Sequence, residues 1–258
     1  MTWPVFTEEA VLRFLLVLAR ASAFFAVFPV FGGGSVPVRF KAGAGGVLAL
    51  FLFGLVSPLV EMPTHALGMF LLIFREVVLG LLLGSLVHFV FMGAQFAGQA
   101  IGVQMGLAIA SIFDPSTREN VGVSGRFYYL MAVLLFLGLD LHHPFIAGFG
   151  DSFTLLPIGD TNIAIAGFQH WAELSGQVLL LAVRMSLPVI GALLLVDLAL
   201  GFLSRLVPQM NIFLVGFPLK IGIGLAALAL GISVGARVLR GAIESLLVDF
   251  HSLMSWMG

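Results

Sequence analysis

The sequence contains no cysteine. This absence excludes disulfides, thiolate metal sites and cysteine nucleophiles. Charge is also scarce, because only 10% of the 258 residues are charged and the formal net charge is −1. Phosphate binding needs a clustered basic face. The 12 lysines and arginines do not form such a cluster, so nucleic acid is not an expected partner.

Apolar residues make up most of the sequence. They account for 60% of the chain, and the mean hydropathy is +1.13. An ordinary globular domain has about 25% charged residues, which it needs to cover its surface. We therefore predict a membrane protein whose main surroundings are lipid and other apolar chains.

The apolar residues form long runs, as transmembrane helices require. A span of the hydrocarbon core takes roughly 20 apolar residues, and the chain offers six candidate segments, at about residues 9–30, 42–60, 66–113, 126–149, 171–206 and 211–237. The last is followed by an amphipathic tail, and the third is too long for one simple span. The loops are too short for a soluble catalytic domain, so we predict one all-α polytopic domain.

The sequence shows none of the common catalytic motifs. The stretch Asp140-Leu141-His142-His143 is the nearest to a metal site, but it lacks a further ligand at useful spacing and is predicted to be an interfacial histidine pair. Around Ser124 the sequence departs from the nucleophile elbow, and no glycine-rich phosphate loop follows a strand. We expect neither an enzyme nor a bound metal or cofactor.

Several charged residues interrupt the apolar runs. A charge at a bilayer centre costs about 2.5–3.5 kcal/mol on insertion scales, so these side chains should face protein, water or headgroups. Each one alone is explained by an interfacial position or a neighbouring partner. For the whole set we predict burial against neighbouring subunits, because a small chain has few acids to pair with them. The set is Arg13, Arg20, Arg75, Glu76, Arg184, Asp197 and Lys220.

Small residues recur every four positions in the third segment, and glutamines lie between them. This spacing places them on one helix ridge, where another helix can approach closely and amides can bond across the contact. The sequence leaves two interpretations open, ordinary helix packing or a close-packed pore wall. The ridge comprises Ala94, Gly98, Gly102, Gly106 and Ala110, with Gln95, Gln99 and Gln104 interleaved.

Prolines are expected to interrupt or bend the remaining helices. Pro115 should end the ridge directly after Ile112-Phe113-Asp114, where a plain turn is the simplest interpretation. Pro188 and Pro218 fall within apolar runs and predict bent helices. Such breaks line substrate sites in some transporters, although bends that serve packing are commoner.

Two stretches resemble the FliR family of type III export gate proteins. The segment from Arg205 to Lys220 is similar to the family's C-terminal signature. Gly102-Val103-Gln104-Met105-Gly106, followed by Phe113-Asp114-Pro115, is similar to the segment that the family places inside its pore. The signature residues are Arg205, Pro208, Gln209, Asn211, Gly216, Pro218 and Lys220.

The resemblance implies a non-enzymatic gate subunit that passes unfolded protein substrates. Its implied partners are FliP, FliQ, FlhB and other gate subunits, with one copy of this chain, in the bacterial inner membrane at the centre of the flagellar basal body. It also implies bent helical hairpins, FliP-like over about 1–165 and FliQ-like over about 166–258. The residues that it places at the plug are Met105, Gly106, Ile112, Phe113, Asp114 and Pro115.

Three rival functions remain at this stage. The equivalent subunit of a virulence type III system shares the signature, and a small-molecule secondary transporter is compatible with broken helices and buried charges. An intramembrane hydrolase would need a nucleophile and a base in one bundle, and the sequence offers no convincing pair. Dependence on FliP and FliQ distinguishes a gate subunit from a transporter, which should bind solute as a single chain.

Overall fold

A computed structural model describes residues 7–29, 37–57, 65–107, 122–158, 165–209 and 211–257. Within these ranges every regular element is a helix, which confirms the prediction of an all-α protein. The helices are α1 (Glu8–Val27), α2 (Val38–Phe53), α3 (Ala66–Gln104), α4 (Val123–Gly138), α5 (His142–Leu155), α6 (Ile165–Leu206) and α7 (Ile212–Met257).

Four of these helices, α1, α3, α6 and α7, are long and apolar enough to cross a membrane. The number rises to five if α4 and α5 together count as one broken span. The six apolar segments predicted from the sequence therefore all contain helix, but they do not all give spans. α2 has 16 residues, fewer than the roughly 20 that a straight crossing needs. Hydropathy shows where the apolar residues lie along the sequence, but it does not show where a helix within that run begins or ends.

Local sequence explains how these helices begin and continue. The hydroxyl of Thr7 accepts a hydrogen bond from the amide of Ala10 at 3.2 Å, and two glutamates occupy the first turn of α1. Both features offset the unpaired amides and partial positive charge of a helix N-terminus. Pro188 lies inside α6 and Pro218 inside α7. Each helix continues past its proline, which removes one backbone donor without ending the helix.

The chain forms two compact units, each built from separate stretches. The first unit comprises residues 1–89, 140–175 and 244–258, and the second comprises residues 90–139 and 176–243. Each unit therefore takes residues from both sides of the boundary expected near residue 165. The expected boundary rests on similarity to two other proteins, whereas the two units are defined by contacts within this chain. The two divisions describe different properties, so the predicted division stays a prediction.

In the first unit α1 contacts several helices. Glycines allow α3 to approach its backbone, because a Cβ at Gly80 would overlap the carbonyl oxygen of Arg20, and one at Gly84 would lie 2.7 Å from that of Phe24. On α5, the ring of Phe149 stacks on Phe24 with centroids 4.4 Å apart. Glycine here removes the volume that would otherwise separate two helices.

Arg20 lies at the centre of this unit with no exposure to solvent. Its Nε donates to Oε2 of Glu76 on α3. Its two terminal nitrogens donate to the carbonyl oxygens of Ser152 at 3.1 Å and Leu156 at 2.9 Å. These carbonyls belong to the C-terminal end of α5, where the helix dipole and unpaired acceptors favour a cation. Arg20 therefore caps α5 while it joins α1 to α3.

For Arg20 and Glu76 the expectation of partners on neighbouring subunits is wrong. Both side chains are completely buried within this chain and pair with each other. Arg75 adds a second cation 3.6 Å from the other oxygen of Glu76 and donates to the carbonyl of Pro157. The two members of the central pair are 56 residues apart in sequence, so helical spacing alone could not have matched them.

We predict that Arg20→Met strongly destabilises the protein. The substitution leaves the Glu76 carboxylate buried without its main cation, and losing one partner of a buried pair typically costs about 3–5 kcal/mol. The double variant Arg20→Met/Glu76→Gln should recover part of that loss, because no net charge is then stranded. The measurement is thermal unfolding of the detergent-solubilised protein.

The matched control is Arg39→Met, which removes an exposed arginine from α2. It should unfold at nearly the wild-type temperature, because exposed charges contribute little. Equal losses in Arg20→Met and Arg39→Met would contradict a specific role for the buried pair.

Candidate functional site

The small-residue ridge of α3 packs inside the second unit. Ala94 is completely buried. A Cβ at Gly98 would overlap the carbonyl oxygen of Ser124 and come within 2.8 Å of the Cα of Gly125, whereas one at Gly102 would meet the hydroxyl of Ser124. The ridge therefore lies directly against the first turn of α4. Ala110, the last residue of the predicted ridge, lies outside the described residues.

α3 ends in a glycine-dependent turn. Gly106 has a φ of +84°, its amide donates to the carbonyl of Val103, and the amide of Leu107 donates to that of Gly102, both at 3.0 Å. This double closure is the Schellman motif, in which a left-handed residue directly follows the helix. The sequence had suggested that this helix could continue toward Phe113, and Gly106 is the signal that marks its earlier end.

Side chains from α7 enclose this turn. Met105 is completely buried, and its Cγ, Sδ and Cε lie 2.7–2.9 Å from where a Cβ of Gly224 would be. The ring of Phe217 lies 2.8 Å from where a Cβ of Gly106 would be. Each glycine therefore opens a notch that a bulky side chain of the other segment fills. Phe217 and Gly224 were not among the predicted site residues, although their spacing from Lys220 on one helix face could have suggested them.

One carboxylate ties the end of α3 to two other helices. Oδ1 of Asp197 on α6 lies 2.6 Å from the Nζ of Lys220 on α7. Oδ2 of the same residue accepts a hydrogen bond from Nε2 of Gln104, the last residue of α3, at 2.8 Å. Lys220 thus has a partner within this chain. Arg184 is exposed in this chain taken alone, and its burial by a neighbouring subunit stays a prediction.

The first half of the predicted signature forms the turn between α6 and α7. Arg205 lies in the last turn of α6, where a cation favours the helix C-terminus. Pro208 and Gln209 are exposed in the connection. Asn211 caps α7, since its Oδ1 accepts from the amide of Leu214 at 3.3 Å. In the second half, Gly216 is buried, Pro218 is exposed and Lys220 joins the carboxylate contact.

Four of the predicted plug residues, Ile112, Phe113, Asp114 and Pro115, lie outside the described residues. Met105 and Gly106, the first two members of that set, form the terminal turn of α3. The structure therefore describes the base from which the predicted plug departs.

The predicted histidine pair forms the first two residues of α5, in the first unit. Nδ1 of His143 is 3.9 Å from Oδ1 of Asp140, and both side chains are largely exposed. His142 completes a group whose possible ligand atoms all lie within 4.8 Å of one another. Asp140 has a φ of +54°. These residues could approach a metal, but two of the three are exposed, and exposed acidic groups are common without one.

Comparison with known proteins identifies the family. A sequence model described as bacterial export proteins, family 1, matches residues 11–246. The flagellar biosynthetic protein FliR of Bacillus subtilis (strain 168) is 35% identical over 250 residues, which cover 95% of each chain. The chain belongs to the FliR family of bacterial export proteins. This confirms the family resemblance inferred from the signature and from the segment around Met105.

Two further FliR relatives extend the match. The flagellar biosynthetic protein FliR of Pectobacterium carotovorum is 36% identical over 218 residues, covering 84% of this chain and 83% of the relative. That of Escherichia coli (strain K12) is 32% identical over 212 residues, covering 82% and 81%. Since the family model spans residues 11–246, the α3 terminal turn, Asp197 and Lys220 all lie within the FliR-family region.

We predict that Gly98→Ala weakens this FliR-family chain more than Gly102→Ala. The first substitution presses a methyl group against the backbone of α4, where overpacking typically costs about 1–3 kcal/mol. The second meets a side-chain hydroxyl that can rotate away, and adding Ser124→Ala should relieve it. Thermal unfolding of the solubilised protein and co-purification with partner subunits measure both effects.

The matched control is Gly176→Ala in α6, where no atom lies within 4 Å of the added Cβ. It should be neutral or stabilising by up to about 1 kcal/mol, since alanine is the better helix former. If Gly98→Ala behaves like Gly176→Ala, close backbone packing at the ridge is not required.

Proposed function

We propose that this chain is a channel and gate subunit of the flagellar type III protein export apparatus, through which unfolded protein substrates pass. Membership of the FliR family is the observation that carries the proposal. The relatives are named flagellar biosynthetic proteins, which favours the flagellar system over its virulence equivalent. The chain is proposed to act in the bacterial inner membrane at the centre of the basal body, without enzymatic activity.

The partners proposed for this subunit are FliP, FliQ and FlhB. Exposed apolar side chains support assembly with other chains or contact with lipid. On α6, Leu179, Leu187 and Leu195 are each more than 60% exposed, and on α7 Leu214 and Leu230 are more than 75% exposed. A water-soluble monomer rarely exposes apolar surface on this scale. This chain should therefore be recovered with FliP and FliQ from cells that make all three, and a purified preparation that contains neither partner would contradict a gate subunit.

The segment that begins at Met105 and Gly106 is proposed to seal the closed pore. A pore wide enough for an unfolded chain leaks ions unless something fills it, and bulky apolar side chains both occupy space and disfavour water. The terminal turn of α3 supports this assignment, because it directs the chain out of the helix at a left-handed glycine. Ile112 and Phe113 supply the apolar bulk, and Pro115 limits helix beyond them.

We predict that Phe113→Gly, and deletion of about residues 106–114, raise small-ion conductance through the assembled complex. Overproduction of either variant should also slow cell growth. The complex should still assemble with Phe113→Gly, because a plug contributes less contact area than the helices. The measurement is ion flux through reconstituted complexes at matched protein levels.

The control is Leu139→Gly, which removes an apolar side chain that is 39% exposed at the end of α4. It should leave the conductance unchanged. Unchanged flux in both plug variants would show that partner residues seal the pore, and Phe113 would then be a packing residue.

A further inference from the structure

A carboxylate next to the terminal turn of α3 contacts two other helices. Asp197 uses both oxygens, one for Lys220 and one for Gln104. Gln104 is the last helical residue before Met105 and Gly106. Removing this one carboxylate would therefore remove the ion pair of α6 with α7 and its hydrogen bond with the end of α3 at once.

The face of α7 that meets the turn is continuous. Phe217, Lys220 and Gly224 follow one another at intervals of three and four, which places them on one side of a helix. Phe217 lies over Gly106 and Gly224 receives Met105. The ion pair of Lys220 with Asp197 lies between these two apolar contacts along α7. The charged contact thus fixes the register in which the two bulky side chains meet their glycines.

Burial within this chain distinguishes this contact from the pair in the first unit. The side chain of Lys220 is 19% exposed and that of Asp197 is 35% exposed, whereas Arg20 and Glu76 are fully enclosed by this chain. A fully buried pair would strand two charges on opening. Opening the Asp197 contact leaves each partner at the surface of this chain, which lowers that penalty.

We propose that Asp197 is a positioning residue of the gate. Together with Lys220 and Gln104 it holds the Met105–Gly106 turn docked against α7, and the turn undocks when this contact opens. The inference rests on the proposed function, because it assigns the control of that same site. It attributes the control to a residue of α6 that lies outside the proposed plug.

The absence of cysteine makes undocking directly measurable. Leu107 is half-buried at the end of the turn, whereas Val103, one turn earlier, is already 64% exposed. Single cysteines at these two positions report docking and general accessibility respectively. The probe is N-ethylmaleimide, which is applied to membranes that carry the whole export apparatus. The reaction is quenched at a series of times, and the fraction of this chain that has gained the mass of the reagent gives each labelling rate.

We expect Asp197→Ala to raise the labelling rate of Leu107→Cys on the order of tenfold, since a lost charged contact shifts a docking equilibrium by at least that factor. Labelling of Val103→Cys should stay unchanged. The exchange variant Asp197→Lys/Lys220→Asp should return Leu107→Cys toward the wild-type rate, because the ion pair re-forms and the Gln104 amide can accept a hydrogen bond as well as donate one.

The control for loss of a carboxylate is Glu173→Gln, whose side chain on the same helix is 78% exposed. It should label like the wild type. Unchanged labelling of Leu107→Cys in Asp197→Ala would overturn the inference. So would an increase that the exchange variant does not reverse, because it would indicate general loosening. If Asp197→Ala fails to assemble, Gln104→Ala decides: it keeps the ion pair, and an absent increase overturns the inference equally.

Ion conductance of the same complexes separates this inference from the proposed function. A leaking Phe113→Gly complex with unchanged labelling in Asp197→Ala overturns the positioning role and leaves the gate proposal standing. Raised labelling that the exchange reverses, with no leak even in Phe113→Gly, supports the positioning role and overturns the proposed seal.

Discussion

A charge in apolar surroundings is stable only when partners lie within reach, and this constraint organises the first unit around Arg20. Its guanidinium has no exposed surface and lies 4.3 Å from the ring centroid of Phe153. The carboxylate of Glu76 and two carbonyls at the end of α5 supply acceptors in the directions in which the planar group donates. The same contacts that neutralise the charge therefore set where α1, α3 and α5 meet.

In the second unit the same constraint also pairs a cation with a carboxylate, but this pair is only partly buried. Neither side chain of the pair in the first unit is exposed, whereas Lys220 and Asp197 are 19% and 35% exposed. Opening a fully buried pair leaves bare charges in a medium that cannot solvate them. Opening a pair that this chain only partly encloses leaves each charge at the surface of the chain, where the penalty is lower. The Arg20–Glu76 pair is therefore suited to fixing the fold, and the Lys220–Asp197 pair is suited to a contact that opens.

Residue types and spacings were enough to predict helices, a membrane setting, the ridge at Gly98 and Gly102, and the family. They were not enough to match Arg20 with Glu76 or Asp197 with Lys220, because such partners are set by how distant helices approach. They also left open whether α3 continues toward Phe113 or gives way to a loop, although Gly106 carried the signal for its end. Apolar periodicity does not register a stop that depends on one left-handed residue.

The turn at the end of α3 combines glycines with bulky side chains in a reciprocal way. Gly224 on α7 receives Met105 from the turn, and Phe217 on α7 covers Gly106 of the turn. Both contacts are made by apolar side chains, so separating them exposes apolar surface. Methionine is flexible and can re-enter its notch by several rotamers. Because these apolar contacts specify direction weakly, the hydrogen-bonded carboxylate of Asp197 adds a directional contact next to this turn.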